Sequence, residues 1–403
     1  MEQMSEDRLS DDVSGVRLTV AGLFAGVGGF ELGLAAAGHR TVLFCEIWEP
    51  ARAVLARRFP GIPNHPDVRD LAGLPESVDL LCAGFPCQDL SQAGRTGGIV
   101  GARSGLVGEV LRLLARRPVP FVLLENVSFM LRLGRGNAME HVLGTLESLG
   151  YRWAYRVVNS LAFLPQRRER VFILASREAD PADVLLADDV TPKLPDTDLA
   201  RFAHGFYWTE GIRGLGWAVD SIPTLKNGST VGIPSPPAIL LPDGRVVKPD
   251  LRDAERLQGF PEDWTLPAAE VARPTLRWSL VGNAVTVPVA AWLGSRLRWP
   301  PGYDRARDRL PFHGAPWPRA ARFDGRRRIE VDVGDYPVWR CRPPLHLFLR
   351  YPGEPLSARA TAGFLARTRR SRLRFPPGFL ERVDAHLAAV HGGVPSVTVA
   401  AAE

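Results

Sequence analysis

The sequence predicts a doubly wound α/β fold over residues 17–175, and three observations carry that expectation. Short apolar runs alternate there with stretches of helical period. Two of the runs end in turns suited to ligands, Phe24-Ala25-Gly26-Val27-Gly28-Gly29 and Gly84-Phe85-Pro86-Cys87. The alternation stops after Ala175, where Pro, Gly and Asp become frequent. A β-α-β-α order builds a sheet covered by helices on both faces.

Taken in order, residues 18–24 read as the first strand, 30–37 as a helix, 41–46 as a second strand and 50–58 as a helix. Residues 79–83, 121–125, 153–158 and 171–175 read as further strands, and 105–116 and 137–149 as helices. The stretch 178–250 has the composition of a small, irregular β-rich unit. Helical character returns at 251–258 and after Asn283, and a last helix is expected over 378–390.

Composition bounds the rest. The 403 residues suggest two or three units, and 45% hydrophobic with 23% charged residues argues against bulk disorder. The cysteines Cys45, Cys82, Cys87 and Cys341 form no CxxC pair, which argues against a disulfide scaffold or a zinc ribbon. No metal is expected. Residues 1–12 are acidic and polar, unlike a signal peptide. The uncharged run 278–295 contains Gly282, Asn283 and Pro288 and reads as a turn leading into a buried helix, not a membrane span. A cytoplasmic, nucleoid-associated protein is expected. The formal charge of +6 is uneven: residues 301–403 carry 18 Arg against 10 acidic groups. Only Lys193, Lys226 and Lys248 are lysines, a bias that a GC-rich genome explains.

The glycine turn after the first strand suits close approach of backbone to a ligand. It lacks the third glycine of a dinucleotide fingerprint, since Glu31 stands there, so a pyrophosphate grip is disfavoured. Glu46, ending the second strand, is placed to hold ribose hydroxyls. A nucleoside cofactor without pyrophosphate, such as S-adenosylmethionine, suits both. Cys87 follows a strand and opens a Gly-rich loop, where a thiol meets solvent and substrate, whereas Cys82 sits within the strand and reads as core. Glu125 and Asn126 lie at a strand's C-terminal end, where such sheets place ligands; a helix-capping pair is the alternative. Gln166, Arg168 and Arg170 share a face of an extended chain, with a solvated charge cluster as the bland reading.

In sequence order these residues resemble the DNA (cytosine-5)-methyltransferase family, of bacterial restriction-modification type. The match comprises the 24–29 loop, Glu46, Asp67-Val68, residues 84–91, Glu125-Asn126-Val127 and residues 166–170. It continues with Arg256-Leu257-Gln258-Gly259-Phe260-Pro261 and Gly282-Asn283-Ala284-Val285, and so spans residues 17–297. The resemblance implies a Rossmann-like S-adenosylmethionine-dependent methyltransferase core over 17–175. A small target-recognition domain follows over 176–250, and a return segment over 251–300 completes the core. The basic C-terminal extension, 301–403, lies outside the family pattern. Its Arg326-Arg327-Arg328 and Arg369-Arg370 clusters suit DNA phosphates, with a solvated surface or a packing appendage as the alternative.

By that resemblance Cys87 is the nucleophile toward cytosine C6, and Glu125 binds N3 and the exocyclic amine of a flipped base. Asn126 supports the Cys87 loop, Arg168 contacts the base, and Arg170 is its partner in ordering the site. Phe24, Gly26, Gly28, Gly29, Glu46, Ile47, Asp67, Val68, Pro86 and Asn283 fall at cofactor positions. Pro223-Thr224-Leu225 resembles a Thr-Leu pair of recognition domains. The implied partner is double-stranded DNA, with one chain acting per target and a cognate restriction endonuclease acting separately. Three other readings stay open: an RNA cytosine-5 methyltransferase, a non-catalytic DNA-binding relative, and a nicotinamide oxidoreductase. The last is opposed by Glu31 and the thiol motif.

Overall fold

A computed structural model describes residues 15–86, 105–226 and 236–392. Its core is a ten-stranded sheet. The first five strands are β1 (Thr19–Leu23), β2 (Arg40–Cys45), β3 (Asn64–His65), β4 (Leu80–Ala83) and β5 (Phe121–Val127). They are parallel, in the spatial order 3-2-1-4-5. The order reverses between β1 and β4, so their C-terminal ends flank the crevice where open α/β sheets bind ligands. Leu80–Ala83 is an unbroken apolar run because both its faces are covered: Leu81 and Ala83 join one apolar core and Leu80 and Cys82 the other. Cys82 is fully buried, as a core cysteine should be.

Helices α3 (Leu106–Arg116) and α4 (Asn137–Ser148) cover the first face with Val110, Leu114, Met139 and Val142. On the other face α1 (Gly29–Ala36) packs with Phe30 and Leu34 against Val289, Ala290 and Leu293 of α7 (Val287–Arg298). The buried ring of His39 bonds Leu18 N at 3.0 Å and Gly294 O at 2.8 Å, tying α7 to the first strand. Helix α7 thus packs on the first sheet; α5 (Leu251–Leu257) and α6 (Arg277–Asn283) precede it, and Ala254 and Leu257 of α5 pack instead with Ile222, Ile239 and Val247 in a separate cluster. The uncharged run breaks at Ala284 between α6 and α7, and no helix of the described residues is long and apolar enough to cross a membrane. Helix α2 (Glu49–Arg58) follows β2.

Beyond β5 the sheet turns antiparallel through β8 (Glu169–Ser176) and β6 (Arg152–Asn159). It then gains three strands that the sequence did not announce. These are β15 (Ala320–Phe323), β16 (Arg328–Val331) and the edge strand β14 (Asp308–Pro311). The edge strand β14 is charged, because an edge leaves one side to solvent, and Arg322 of β15 is buried through its bidentate pairing with Asp308.

A second, five-stranded sheet is built from β9 (His204–Phe206), β10 (Ala218–Val219), β12 (Ala238–Leu240), β13 (Val246–Lys248) and β17 (Glu354–Pro355). Helices α8 (Ala358–Thr368) and α9 (Phe379–His391) cover it, with Phe364 and Phe379 ring centroids 4.9 and 5.4 Å from that of Phe206. Residues 301–392 are therefore shared between the two sheets. A parallel two-stranded ladder, β7 (Gln166–Arg167) with β11 (Ile222–Pro223), joins the bodies.

Candidate active site

At the C-terminal ends of β1 and β4 lies a cavity of about 850 Å³, within the range of small-molecule sites. Its walls hold two groups of residues. Phe24, Gly26, Glu46, Ile47, Asp67 and Val68 come from the turns after β1, β2 and β3. Glu125, Asn126, Arg168 and Arg170 come from β5 and the chain entering β8. Gly84, Phe85 and Pro86 on one side and Gly282, Asn283 and Ala284 on the other complete the wall.

Glu46 is buried and fixed by two backbone donors, Gly26 N to Oε2 and Trp48 N to Oε1, each 2.8 Å. Burial pushes its carboxyl up, and these backbone donors pull it back. A Cβ at Gly26, whose φ is +55°, would meet no protein atom within 4 Å and would project into open space. Ile47 is 61% exposed, an apolar side chain presented to the cavity. Asp67 is gripped by the Arg69 guanidinium (Nη2 to Oδ2, 2.5 Å), which holds its carboxyl down at about 2.

Gly28 and Gly29 differ from the other expected cofactor residues in lying outside the cavity wall. A Cβ at Gly28 would stand 2.4 Å from the Phe59 ring, and one at Gly29 2.6 Å from Val285 O. Their glycine character is thus required by packing, against residues distant in sequence.

Strand β5 runs two residues past its expected end, so Glu125 and Asn126 stand within the β5–β8 ladder. Asn126 Nδ2 donates to Phe85 O at 3.0 Å, fixing the turn at Gly84–Pro86. Its Oδ1 accepts from Val127 N at 2.8 Å. Glu125 is buried, with Oε1 3.0 Å from Arg170 Nε. That ion pair leaves Oε1 without an aligned hydrogen bond. Burial raises the Glu125 carboxyl, opposed by the charges of Arg170 and Arg168. Oε2 lies 3.5 Å from where a Cβ of Gly84 would stand, so the carboxyl faces the turn that leads to Cys87. Cys87 itself lies outside the described residues.

Gln166, Arg168 and Arg170 do share a face. Gln166 is fully buried, with Nε2 2.7 Å from Leu257 O and Oε1 accepting from Leu225 N at 3.1 Å. Arg168 donates to Gly282 O at 3.1 Å, Ala284 O at 2.9 Å and Leu225 O at 3.4 Å. Burial lowers its guanidinium to about 9, which leaves it cationic at neutral pH. Arg167 and Glu169 point away, the latter toward Arg319. The arrangement brings a carboxyl, two guanidiniums and the Gly84–Pro86 turn to one end of the cavity, and an anchored carboxylate with an apolar shelf to the other.

Trp48, Arg69, Leu106 and Leu280 also line the cavity and were not singled out from sequence. Arg69, two residues from Asp67, looks like any solvated charge pair, and the others look like core. Among the described residues no group of acidic, His and Cys side chains is arranged to hold a metal.

A model of the C-5 cytosine-specific DNA methylase family matches residues 18–203. The chain is 46% identical over 373 residues to the Type II methyltransferase M2.BsuMI of Bacillus subtilis, across 88% of this chain and 94% of that one. It is 27% identical over 325 residues to the Type II methyltransferase M.HpaII of Haemophilus parainfluenzae, across 70% and 89%. Among solved structures, the S. pombe Dnmt2 methyltransferase is similar with a TM-score of 0.48 and 19% identity, covering 70% of this chain and 98% of that one. With identity of this order sustained along almost the whole of both chains, the protein belongs to the C-5 cytosine-specific DNA methylase family.

Proposed function

We propose that the protein methylates C5 of cytosine within a specific double-stranded DNA sequence, using S-adenosylmethionine and a transient bond between Cys87 and C6 of a flipped base. The observation that carries this reading is the facing of the Glu125 carboxyl toward the Gly84–Pro86 turn, with Arg168 and Arg170 beside it in the same cavity. The opposite end fits the cofactor. Glu46 has acceptor capacity left for a ribose diol, Ile47 offers an apolar face to a base, and Gly26 leaves room that a side chain would fill. Bound there, S-adenosylmethionine supplies an electrophilic sulfonium methyl.

The chain's own residues do the rest. The Cys87 thiolate adds to C6 and makes C5 nucleophilic. Glu125, its carboxyl pushed up by burial against the pull of Arg170 and Arg168, holds a proton at N3 as the ring's electron density shifts. Arg170 orients that carboxyl, and Arg168, fixed by three carbonyls, gives the base a rigid cationic wall. Once C5 carries the methyl group, loss of its proton restores the ring and expels Cys87. The base must first leave the duplex stack, at about a few kcal/mol.

Residues 176–250, between the catalytic core and the return segment, are the reading's target-recognition domain. The type II methyltransferase names of the relatives support a modification role, and the reading adds a cognate restriction endonuclease acting separately, with one chain acting per site.

The decisive test is a covalent trap. Duplex DNA carrying 5-fluorocytosine at the methylated position, found by bisulfite sequencing, should form a complex that survives denaturing electrophoresis. The band should require cofactor and vanish in Cys87→Ala. Glu125→Gln should slow single-turnover methylation by about 10²–10⁴. Transfer to tRNA but not to duplex DNA would favour the RNA reading instead.

A further inference from the structure

Several arginines of the C-terminal extension are committed within the fold. Arg328 bonds Glu140 and Glu147, Arg319 bonds Asp335 and Glu169, and Arg309 pairs with Asp332 at 2.7 Å. Arg305 pairs with Asp180, Arg342 with Asp220, and Arg369 with Asp384. Arg370, Arg372 and Arg374 are exposed, and among the described residues no carboxylate pairs with any of them.

These three are not on a loose tail. Burial alternates along 371–375, with Arg372 and Arg374 outward and Leu373 and Phe375 packed on the core of the second sheet. The Phe375 ring stacks on Phe379 at 5.5 Å. Arg372 and Arg374 lie on an extended chain, where residues two apart stand about 6.5 Å from one another, and Arg370 lies in the turn that ends α8 just before them.

The row is also tied to the catalytic cavity. Arg367, three residues before it, donates Nε to Glu210 O at 3.0 Å and Nη2 to Trp208 O at 2.6 Å. Glu210 Oε1 pairs with Lys226 Nζ at 2.7 Å, and that ammonium sits 3.6 Å from the Tyr207 ring centroid. The residue before Lys226 is Leu225, whose carbonyl accepts from Arg168 in the cavity wall.

We propose that residues 354–392 are part of the DNA-contacting lobe, and that Arg372 and Arg374, with Arg370 at the turn before them, bind backbone phosphates of the duplex beside the target cytosine. This rests on the proposed function, because it takes duplex DNA as the substrate. The row supplies affinity and register with no base preference, since phosphate contacts carry no sequence information.

The test measures binding of a cognate duplex to the full chain over a series of salt concentrations. In the unsubstituted protein log Kd should vary linearly with log salt. Arg370→Ala/Arg372→Ala/Arg374→Ala should reduce the magnitude of that slope by about 2–3, since each phosphate left without its arginine removes about 0.9. The corresponding triple Lys variant should keep most of the slope. Arg326→Ala/Arg327→Ala, on the exposed turn between β15 and β16, should leave the slope intact. Binding of S-adenosylmethionine and the melting temperature should be unchanged in every variant. An unaltered slope in the triple Ala variant, or an equal loss per charge in the 326/327 variant, would overturn the proposal while leaving the methyltransferase reading standing. Failure of the unsubstituted protein to bind duplex DNA would sink both.

Discussion

Glu31 shows how a single side chain responds to the family's departure from dinucleotide-binding turns. It occupies the place where such a turn would have glycine, yet it is 1% exposed, and its Oε2 has no partner. Burial, with a smaller push from the Glu46 charge, raises its carboxyl to about 7. An acid whose folded pKa exceeds its unfolded value binds its proton more tightly in the folded state. Its effect is absent below the unfolded value near 4.5, grows as pH rises toward 7, and is complete above that. The loss is about 3 kcal/mol. Glu31→Gln carries no charge at any pH, so its melting temperature should gain on that of the parent protein between pH 5 and pH 8. A gap that stays constant or narrows over that range would contradict the buried-acid account. With its carboxyl raised to about 7, Glu31 is about half protonated at neutrality.

At the scale of elements, the sequence was readable wherever the period and the environment agreed. Residues 80–83 are apolar on both faces because both are covered, and α3 alternates as a helix facing one core must. The turn after each strand announced the cavity because open α/β sheets bind at strand ends. What stayed hidden has three physical causes. The strands of the second sheet are two or three residues long, too short to display a period. Strands β14–β16 were not assigned from sequence because Arg322 needs Asp308, 14 residues away, before it can be buried. The glycines at 28 and 29 look like ligand glycines until Phe59 and Val285 are brought beside them. Strand position and alternation singled out Glu125, Asn126, Arg168 and Arg170, which the structure places on one cavity wall, and the structure adds Arg69 and Trp48 to that wall.

For the whole molecule, the extension beyond residue 300 acts as covering as much as appendage. Trp153 and Tyr155 are fully buried beneath β15 and Trp317, and Phe206 beneath α8 and α9. Exposing side chains of this size costs about 1.5–3 kcal/mol each, against a total stability of about 5–15 kcal/mol. A chain ended after Pro300 should therefore aggregate or lose its near-ultraviolet circular dichroism. A soluble 1–300 chain with one cooperative melting transition would refute this. The ladder of β7 with β11 has a different consequence. The stretch 166–168 both carries that ladder and delivers Arg168 to the cavity, while Leu225, just beyond β11, accepts from the same guanidinium. On the proposed function, reading and chemistry would share this fulcrum: a lobe tilted by a wrong sequence would pull an acceptor from Arg168, and near-cognate targets would be rejected after they bind. Single-base changes in the recognised word should lower the single-turnover rate at saturating DNA, and a rate that stays constant while only affinity falls would show that the fulcrum is slack.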